Sequence, residues 1–254
     1  MMEKLFEVIF EDGELLVINK PAGLVCHPTK GDVYSSLISR VRLHLGAEAR
    51  AHLVNRLDRE TSGVVLVAKS DVAARELRKL WEERVVRKEY WAIVHGRVAS
   101  SGGSVEAALG RDTESIVAVK DRVREDGALS RTDFEVVQRF GRAEGEFTWL
   151  RVWPHTGRKH QIRIHLAHIG HAIVGDKLYG GDEDIYMALV EDRMTAEQRA
   201  RMILPWQGLH AREVRFVWRG VERVFAAEAE GWFMDFLREG GVVEKMMGRG
   251  VGGV

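Results

Sequence analysis

A carboxylate flanked by two arginines is the first group in the sequence that could do chemistry. Residues 55–63 read Asn-Arg-Leu-Asp-Arg-Glu-Thr-Ser-Gly, so Asp58 lies between Arg56 and Arg59 in a polar turn between two apolar runs. Nearby cations favour the ionised form of a carboxylate, and such a carboxylate can act as a nucleophile or a base. From the charges alone, a structural Asp–Arg pair that caps the turn is the more common reason for this pattern.

A second segment, residues 156–166, is the densest basic patch in the chain. It reads Thr-Gly-Arg-Lys-His-Gln-Ile-Arg-Ile-His-Leu. Cationic, histidine and amide side chains together can grip RNA phosphates and ribose hydroxyls, and Arg163 could also pair with a carboxylate elsewhere. The alternative is a solvated, charged helix face, which the mixture of His and Gln with Arg weakens only slightly.

A third segment, residues 84–90, leads from basic residues into a strand that bears Tyr90. A tyrosine ring can stack on a base, and its hydroxyl can accept or relay a proton. Taken by itself, the pattern is more typical of a half-buried strand tyrosine.

Other chemistries have little support in the sequence. Four histidines lie close together: His160, His165, His168 and His171. No cysteine is near them and no His-Glu-x-x-His pattern occurs, so we expect ordinary polar histidines and no metal site. Glycine-rich phosphate loops and the Gly-x-Ser-x-Gly pattern are absent from the sequence, and Cys26 and His27 would point to opposite faces of a strand.

The elements that must position these groups are many strands with a few helices between them. Apolar runs predict a hairpin over residues 7–19 and strands near 53–54, 64–67, 88–95, 116–119, 132–137, 147–152 and 213–225. Helical spacing predicts helices over residues 35–45, 71–84 (capped by Asp71) and 226–237, and a capping box begins at Thr195. Residues 156–170 fit both patterns, and we favour a helix over part of them. Residues 100–104 read as a Gly/Ser loop, and the mixture argues for an α+β fold.

The composition is that of an ordinary globular protein. The chain has 254 residues, of which 45% are hydrophobic and 30% charged. No apolar run approaches the roughly 20 residues of a membrane span, and the single cysteine fits a reducing cytoplasm. Basic and acidic residues number 38 each, which counts mildly against a general nucleic-acid binder unless the cations are clustered.

Taken in order, these segments resemble the motifs of RluA-type RNA pseudouridine synthases. Residues 55–63, ending in Ala68-Lys69, resemble the active-site motif, and residues 88–90 resemble the tyrosine motif. The other matching segments are residues 17–28, 157–166 with 170–180, and 209–211. Their order and spacing agree over about residues 7–237, which makes chance implausible.

The resemblance implies a fold and a reaction. The fold would be the α+β pseudouridine synthase domain, a long mixed, mostly antiparallel sheet split by a central active-site cleft. The reaction would detach uracil from C1′ of a uridine in RNA, rotate it and rejoin it through C5, with no cofactor and no metal. We expect a catalytic domain over residues 1–239 and a Gly-rich, disordered tail over residues 240–254.

The resemblance also implies roles for individual residues. Asp58 matches the essential aspartate, acting as nucleophile or base, and Arg163 matches its basic partner. Tyr90 matches the residue that packs on the target base and can take the C5 proton. Arg56 matches an arginine that fills the space left by the flipped nucleotide; flipping is required because a stacked base is unreachable. The remaining predicted substrate-binding residues are Arg59, Arg158, Lys159, His160, Gln161 and Leu166.

The sequence departs from the family pattern at two positions, and its RNA target stays open. Asn55 stands where His is usual and cannot become cationic, and Lys159 stands where Thr is common. We expect no N-terminal RNA-binding domain of the kind that many relatives carry. We expect an exposed stem-loop of transfer or ribosomal RNA as substrate; protein partners are open, and a monomer is compatible with the sequence.

Two other classes of function are weighed against the synthase. The first is a catalytically idle RNA-binding protein, against which the intact set of Asp58, Tyr90 and Arg163 argues. The second is a carboxylate-dependent hydrolase such as a glycosidase, which needs two acidic residues at the site. Glu60 is the only nearby candidate for the second acid.

Overall fold

The computed structural model describes residues 6–28, 36–46 and 49–240. Its strands are β1 (Glu7–Glu11), β2 (Leu15–Lys20), β3 (His52–Leu53), β4 (Ser62–Ala68), β5 (Arg87–His95), β6 (Gly102–Glu106), β7 (Leu109–Arg111), β8 (Asp121–Val123), β9 (Arg131–Arg142), β10 (Gly145–Pro154), β11 (Leu209–Trp218) and β12 (Val221–Ala226). Its helices are α1 (Leu37–Leu45), α2 (Asp71–Glu82), α3 (Gln161–His168), α4 (Glu183–Val190), α5 (Ala196–Met202) and α6 (Gly231–Glu239). None of these helices is long and apolar enough to cross a membrane.

The strands of the described chain form a ten-stranded sheet and a separate two-stranded ribbon of β7 and β8. The sheet has the order β1-β2-β4-β11-β5-β10-β9-β6, with β12 paired to β11 and β3 paired to β4. Within it, β4 and β11 run parallel and the other pairs run antiparallel. The α+β class and the long mixed, mostly antiparallel sheet expected from the sequence are confirmed.

Helices cover both faces of the sheet, which explains why β2 and β4 are buried along their whole length. On one face α1 packs with Leu16 and Ile18 of β2, and on the other face α2 packs with Leu15 and Val17. The strands β5 and β10 lie between α3 and α6 in the same way. A strand buried on both faces reads as a continuous apolar run, as β2 and β4 do.

The parallel contact of β4 with β11, at the centre of the sheet, depends on Gly63. This residue has φ of +112°, and a Cβ there would collide with the backbone of Ala211. Ala211 pairs with Gly63 on one side and with Tyr90 of β5 on the other. The loop that enters β4 and the middle of β5 are thereby brought to one place, next to a bulge in β11 between Ala211 and Glu213.

Most of the predicted elements are present, with shifted ends. The hairpin is confirmed, and its turn is closed by Asp12, whose carboxylate accepts two backbone N–H groups. The helix favoured within residues 156–170 is α3, and the capping box at Thr195 opens α5. Ser70, and not Asp71, caps α2, while the last helix begins at Gly231 and not at residue 226.

Two predictions in the segment before β9 are wrong. The expected strand over residues 116–119 is a turn, because Ser115 Oγ accepts the N–H of Val117 and the Lys120 N–H bonds to the Val117 carbonyl. Residues 100–104 are only partly a loop, since β6 begins at Gly102 and pairs with β9. The predicted disordered tail lies, beyond Gly240, outside the described residues.

Candidate active site

The loop that carries Asp58 is fixed to the sheet by Asn55. The side-chain amide of Asn55 donates to the carbonyl of Val64 (3.1 Å), and its oxygen accepts the N–H of Leu66 (2.8 Å). Both backbone groups belong to β4 and need partners when buried. One short side chain with a donor and an acceptor satisfies both of them, which gives Asn55 a structural role.

A buried lysine ties the same loop to the turn after β2. Lys20 is fully buried, and its ammonium donates to the carbonyls of Pro21 (2.9 Å), Leu24 (2.9 Å) and Arg59 (3.1 Å). Burial lowers the pKa of Lys20 to about 8. Because three carbonyls use all three of its donors, Lys20 supports the loop and has none left for a ligand.

Glu60, the second carboxylate of the loop, is held by internal contacts. Its Oε2 lies 2.8 Å from Lys177 Nζ and 3.3 Å from the backbone nitrogen of Gln207. The side chains of Glu60 and Lys177 are 11% and 6% exposed, and Glu60 does not line the cleft described below. A glycosidase-type site needs two carboxylates facing one substrate, so Glu60 does not supply the second acid.

Arg163 of α3 joins Asp58 to a second, buried carboxylate. Its Nη1 lies 2.8 Å from Asp58 Oδ2, while its Nε and Nη2 bond to the two oxygens of Asp176 at 2.7 and 2.9 Å. Asp176 also accepts the backbone N–H groups of Leu178 and Tyr179. Burial alone would raise the pKa of Asp176, but the charge and hydrogen bonds of Arg163 outweigh it and hold that pKa below its ordinary value. The Arg163–Asp176 pair is therefore a fixed support that orients Asp58.

Asp58 is the member of this group that faces the cleft. Its side chain is 31% exposed, against 8% for Arg163 and 0% for Asp176. Arg163 holds Oδ2, whereas Oδ1 lies 3.8 Å from the Nε2 of His160, beyond hydrogen-bond distance. One carboxylate oxygen is thus held in place and the other remains able to contact a bound molecule.

His160 faces Asp58 with one ring nitrogen and Tyr179 with the other. The Tyr179 hydroxyl accepts the N–H of Asp121 (3.2 Å) and lies 2.9 Å from His160 Nδ1. Because Nε2 is the ring nitrogen nearer the Asp58 carboxylate, we assign the ring proton to Nε2, with the Tyr179 hydroxyl donating to Nδ1. Burial and then the charge of Arg163 lower the pKa of His160 to about 4, so the ring is neutral at pH 7. Its backbone is left-handed, with φ of +55°, which is uncommon outside glycine.

Tyr90 lines the cleft from the middle of β5. It pairs in register with Ala211 of β11, and its ring packs against two of the core clusters. Burial, reinforced by the charge of Asp58, raises the pKa of Tyr90 above its ordinary value. The phenol is therefore protonated at pH 7 and can donate a hydrogen bond into the cleft.

These groups lie in a strongly cationic cleft of about 620 Å³. Of the described residues that line it, one, Asp58, is a carboxylate and six carry positive charge: Arg56, Arg59, Lys88, Arg158, Lys159 and Arg163. The net charge of zero therefore hides a local concentration of cations. Such a cleft favours a polyanion, as the patch of residues 156–166 indicated.

The predicted cationic binding residues all line the cleft, but they differ in whether their side chains already have partners within the chain. Arg56 and Arg158 are exposed at its rim. Arg59 donates from Nε to the carbonyl of Gly23 (3.2 Å). Lys159 forms an ion pair with Asp121 (2.8 Å). Arg56 and Arg158 are thus freer to meet a ligand than Lys159 is.

Gln161 and Leu166, also predicted to bind substrate, are both buried, and of the two Gln161 borders the cleft. Gln161 accepts hydrogen bonds from the Thr156 hydroxyl and the Arg158 N–H, and it donates to Thr132 of β9. It is 4% exposed and fixes the loop before α3, so its contacts are structural. Leu166 is fully buried in the cluster beneath Tyr90 and does not line the cleft, because the inward side of α3 packs on β5 and β10.

Comparison of the sequence with known proteins finds a family model and relatives that carry the same description. A family model described as RNA pseudouridylate synthase matches residues 14–168. The ribosomal large subunit pseudouridine synthase D of Pseudomonas aeruginosa is 40% identical over 209 residues, which cover 81% of this chain and 62% of that protein. The chain belongs to the RNA pseudouridylate synthase family.

Further similar proteins support the membership of this chain in the pseudouridylate synthase family. An uncharacterized RNA pseudouridine synthase of Aquifex aeolicus is 36% identical over 179 residues, which cover 68% of this chain and 55% of the relative. Human RNA pseudouridylate synthase domain containing 4 has a solved structure with a TM-score of 0.70 and 26% identity, covering 92% of each chain. The chain spans between 55 and 62% of the length of the first curated relatives it matches. The resemblance predicted from the motifs is confirmed.

The four clustered histidines of the chain do not converge. His160 faces Asp58, whereas His165 bonds to a buried threonine hydroxyl of β9 (2.9 Å) and His171 lies 3.0 Å from the carbonyl of His95. Over residues 6–28, 36–46 and 49–240, no three His, Cys, Asp or Glu side chains are grouped to hold a metal ion.

Four supporting residues were not predicted as part of the site: Lys20, Asp176, Lys177 and Tyr179. Their membership in segments that resemble family motifs, residues 17–28 and 170–180, was the available signal. No local pattern marks them as partners, because Asp176 is 13 residues from Arg163 and Lys177 is 117 residues from Glu60.

Proposed function

We propose that this chain isomerises uridine to pseudouridine in RNA, that Asp58 is the catalytic carboxylate, and that residues 1–239 form the catalytic unit. The observation that carries the proposal is that one carboxylate oxygen of Asp58 is hydrogen-bonded to Arg163 and the other faces the cleft. Arg163 binds Oδ2, and Oδ1 faces a cationic cleft beside Tyr90. An ionised group held in place at the floor of a cleft needs no reorganisation when it reacts.

The reaction requires a carboxylate but no redox partner. The bond from C1′ to N1 breaks and a bond from C1′ to C5 forms, while C5 loses a proton and N1 gains one. Asp58 can promote this by attacking the sugar, by attacking the base or by removing a ribose proton. In all three cases the reacting atom is Oδ1, and Arg163 stabilises the charge that the carboxylate regains at the end. No cofactor is required.

Tyr90 serves this reaction with its ring and with a protonated hydroxyl. The ring packs against the detached uracil and limits its rotation. Because the pKa of Tyr90 is raised, the hydroxyl is protonated and acts as a relay. It accepts the C5 proton while it gives its own proton to water, and water returns a proton to N1. Tyr90 is therefore the second catalytic residue and Arg163 the third.

Access to C1′ and C5 requires that the target nucleotide leave its stack. Arg56 is exposed at the rim, two residues before Asp58. In the proposed complex its guanidinium fills the space left by the flipped nucleotide, while Arg158 and Arg59 bind flanking phosphates.

The substrate class proposed is an exposed RNA stem-loop, with ribosomal RNA as the first candidate and transfer RNA as the second. Ribosomal RNA comes first because two relatives, from Pseudomonas aeruginosa and Nitrosomonas europaea, are named ribosomal large subunit pseudouridine synthase D. We place the reaction in the cytoplasm, where the buried thiol of Cys26 stays reduced.

The test compares pseudouridine maps of both RNA classes from a strain with the gene and a strain without it. A site that disappears with the gene, returns with the wild-type gene and fails to return with Asp58→Asn supports the proposal. Identical maps in the two strains, in both RNA classes, would refute it.

A further inference from the structure

Lys88 is a partly buried cation in the wall of the cleft, and it lacks a carboxylate partner among the described residues. Its Nζ donates to the carbonyl of Thr156 (3.1 Å), the one acceptor found for it in the described chain. An ammonium has three donors, and a buried charge is normally paired. Burial, and then the charge of Arg84, lower the pKa of Lys88 to about 8, as expected of a cation without a counter-charge.

Arg84, an exposed residue outside the lining of the cleft, adds a second positive charge that acts on Lys88. It occupies a backbone position that favours glycine. It follows the end of α2 with φ of +59°. The N–H of Val85 bonds to the carbonyl of Leu80, and that of Arg84 to the carbonyl of Trp81, which is the helix-ending motif that favours glycine in the left-handed residue. An exposed arginine there is strained and repels Lys88, and neither cost is offset by a contact within the described chain.

Trp81 completes the group with an aromatic surface. It lines the same cleft and is only partly buried. Phe216 lies 5.7 Å away on its inner side, which fixes the indole in position. An aromatic ring beside two cations is the combination that binds single-stranded nucleic acid, since the ring stacks on a base and the cations hold the backbone.

Lys88 and Tyr90 lie on the same face of β5, two residues and about 7 Å apart. We propose that Lys88, Arg84 and Trp81 form a second nucleotide subsite, in which the two cations bind a backbone phosphate and Trp81 stacks on an unpaired base next to the target uridine. This subsite rests on the proposed function for its RNA ligand. It extends the cleft from one nucleotide to two and selects substrates whose neighbouring base is also unpaired.

The first test measures binding to a fluorescent oligouridine decamer as a function of salt, with the full chain carrying Asp58→Asn so that no turnover occurs. In that background Lys88→Gln is compared with Arg87→Gln, an exposed cation one residue away on the opposite face of β5. Loss of one phosphate contact lowers the slope of log Kd against log salt by about 1. We expect that change and about a tenfold weaker Kd for Lys88→Gln, and neither change for Arg87→Gln.

A charge-conserving variant and an aromatic variant guard against a folding artefact. Lys88→Arg should keep the salt slope of the parent, because the positive charge is retained. Trp81→Leu should weaken binding about tenfold with an unchanged slope, and Trp81→Phe should keep most of the affinity because a ring remains. Equal slopes for Lys88→Gln and the parent, or equal losses for Lys88→Gln and Arg87→Gln, would overturn the subsite. These experiments measure RNA binding alone. Absence of isomerisation in a turnover assay would refute the proposed function, whereas the binding data would still support or refute the subsite.

Discussion

Arg163 binds Asp58 through a single nitrogen, Nη1, and keeps its other two nitrogens on a different carboxylate. The bond to Asp58 joins residues 105 positions apart, so it holds the loop that carries Asp58 to α3. The buried partner, Asp176, keeps the guanidinium in place whether or not Asp58 changes its own contacts. The two carboxylates therefore differ in kind: Asp176 is a support, and Asp58 is free to react.

This difference predicts opposite patterns for two Asp→Asn variants. Asp176→Asn removes a fully buried charge from a buried pair, and it should lower the free energy of unfolding by about 3 kcal/mol. Asp58→Asn leaves Arg163 paired with Asp176, and it should change stability by less than about 1 kcal/mol while abolishing turnover. Urea unfolding and a turnover assay on the same preparations check both. A stable, active Asp176→Asn enzyme would contradict the role given to that pair.

Tyr179 is predicted to control the tautomer of His160. In Tyr179→Phe the ring remains but the hydroxyl that contacts Nδ1 is lost, so the preference for a proton on Nε2 should weaken. The pKa of His160 should stay near 4, because burial and the charge of Arg163 lower it. The loss of about one hydrogen bond predicts a rate about tenfold lower. Nitrogen chemical shifts of the His160 ring report the tautomer and the titration directly. Tyr186→Phe, in α4, is the matched control and should leave the ring signals of His160 unchanged. If the His160 tautomer in Tyr179→Phe is the same as in wild type, Tyr179 does not determine it.

Gly63 is predicted to be indispensable to the centre of the sheet. Its φ is positive, and a Cβ would meet the backbone of Ala211, so Gly63→Ala must push β4 and β11 apart. We expect the free energy of unfolding to fall by about 3 kcal/mol or more. Gly13→Ala is the control, because nothing lies within 4 Å of a Cβ there. Chemical denaturation of both variants measures the effect, and equal stabilities would show that the strands can separate at little cost.

Stability is predicted to fall as the pH drops from about 6.5 to about 4. Burial lowers the pKa of His210 to about 4, while an unfolded histidine titrates near 6.5. Between these values the unfolded chain binds a proton that the folded chain does not, so acidification favours unfolding, by about 2 kcal/mol for this residue at pH 4.5. His210 is held by Ser62 and the carbonyl of Ala227.

The measurement is the free energy of unfolding as a function of pH for wild type and His210→Gln. The variant should be less stable at pH 7 and lose less stability on acidification. Parallel pH curves for the two proteins would mean that His210 does not carry the effect.

The sequence predicts this fold well where a local pattern determines the structure. Continuous apolar runs marked β2 and β4 because both faces are covered, and the capping box at Thr195 marked α5. The run Ile116–Val119 misled because apolar spacing there reflects a turn closed by Ser115 and Lys120. Ile116 and Val119 are exposed and Val117 is buried, so a short apolar run does not by itself distinguish a strand from a compact turn.

The site could be predicted only in part, for a related reason. The charges around Asp58 fitted a structural pair as well as a reactive carboxylate, and the resemblance to the family motif selected Asp58. The charges allowed Arg163 a carboxylate partner but could not single out Asp176, whose neighbours are set by the tertiary fold. Leu166 was expected on the cleft wall and lies in the core, because the pattern of α3 does not tell which of its apolar residues meet the sheet. Lys20 and Lys177 look like surface cations in the sequence and are buried supports in the structure.

The most direct test of the central claim is release of tritium from RNA labelled at C5 of uracil. Ribosomal and transfer RNA from a strain lacking the protein are incubated with wild type and with Asp58→Asn, and free uracil is measured in the same samples. Isomerisation predicts release from one RNA class by wild type, none by the variant, and no free uracil. Undiminished release by Asp58→Asn, or release of uracil in place of tritium, would contradict the assignment of Asp58 as the catalytic carboxylate of a pseudouridine synthase.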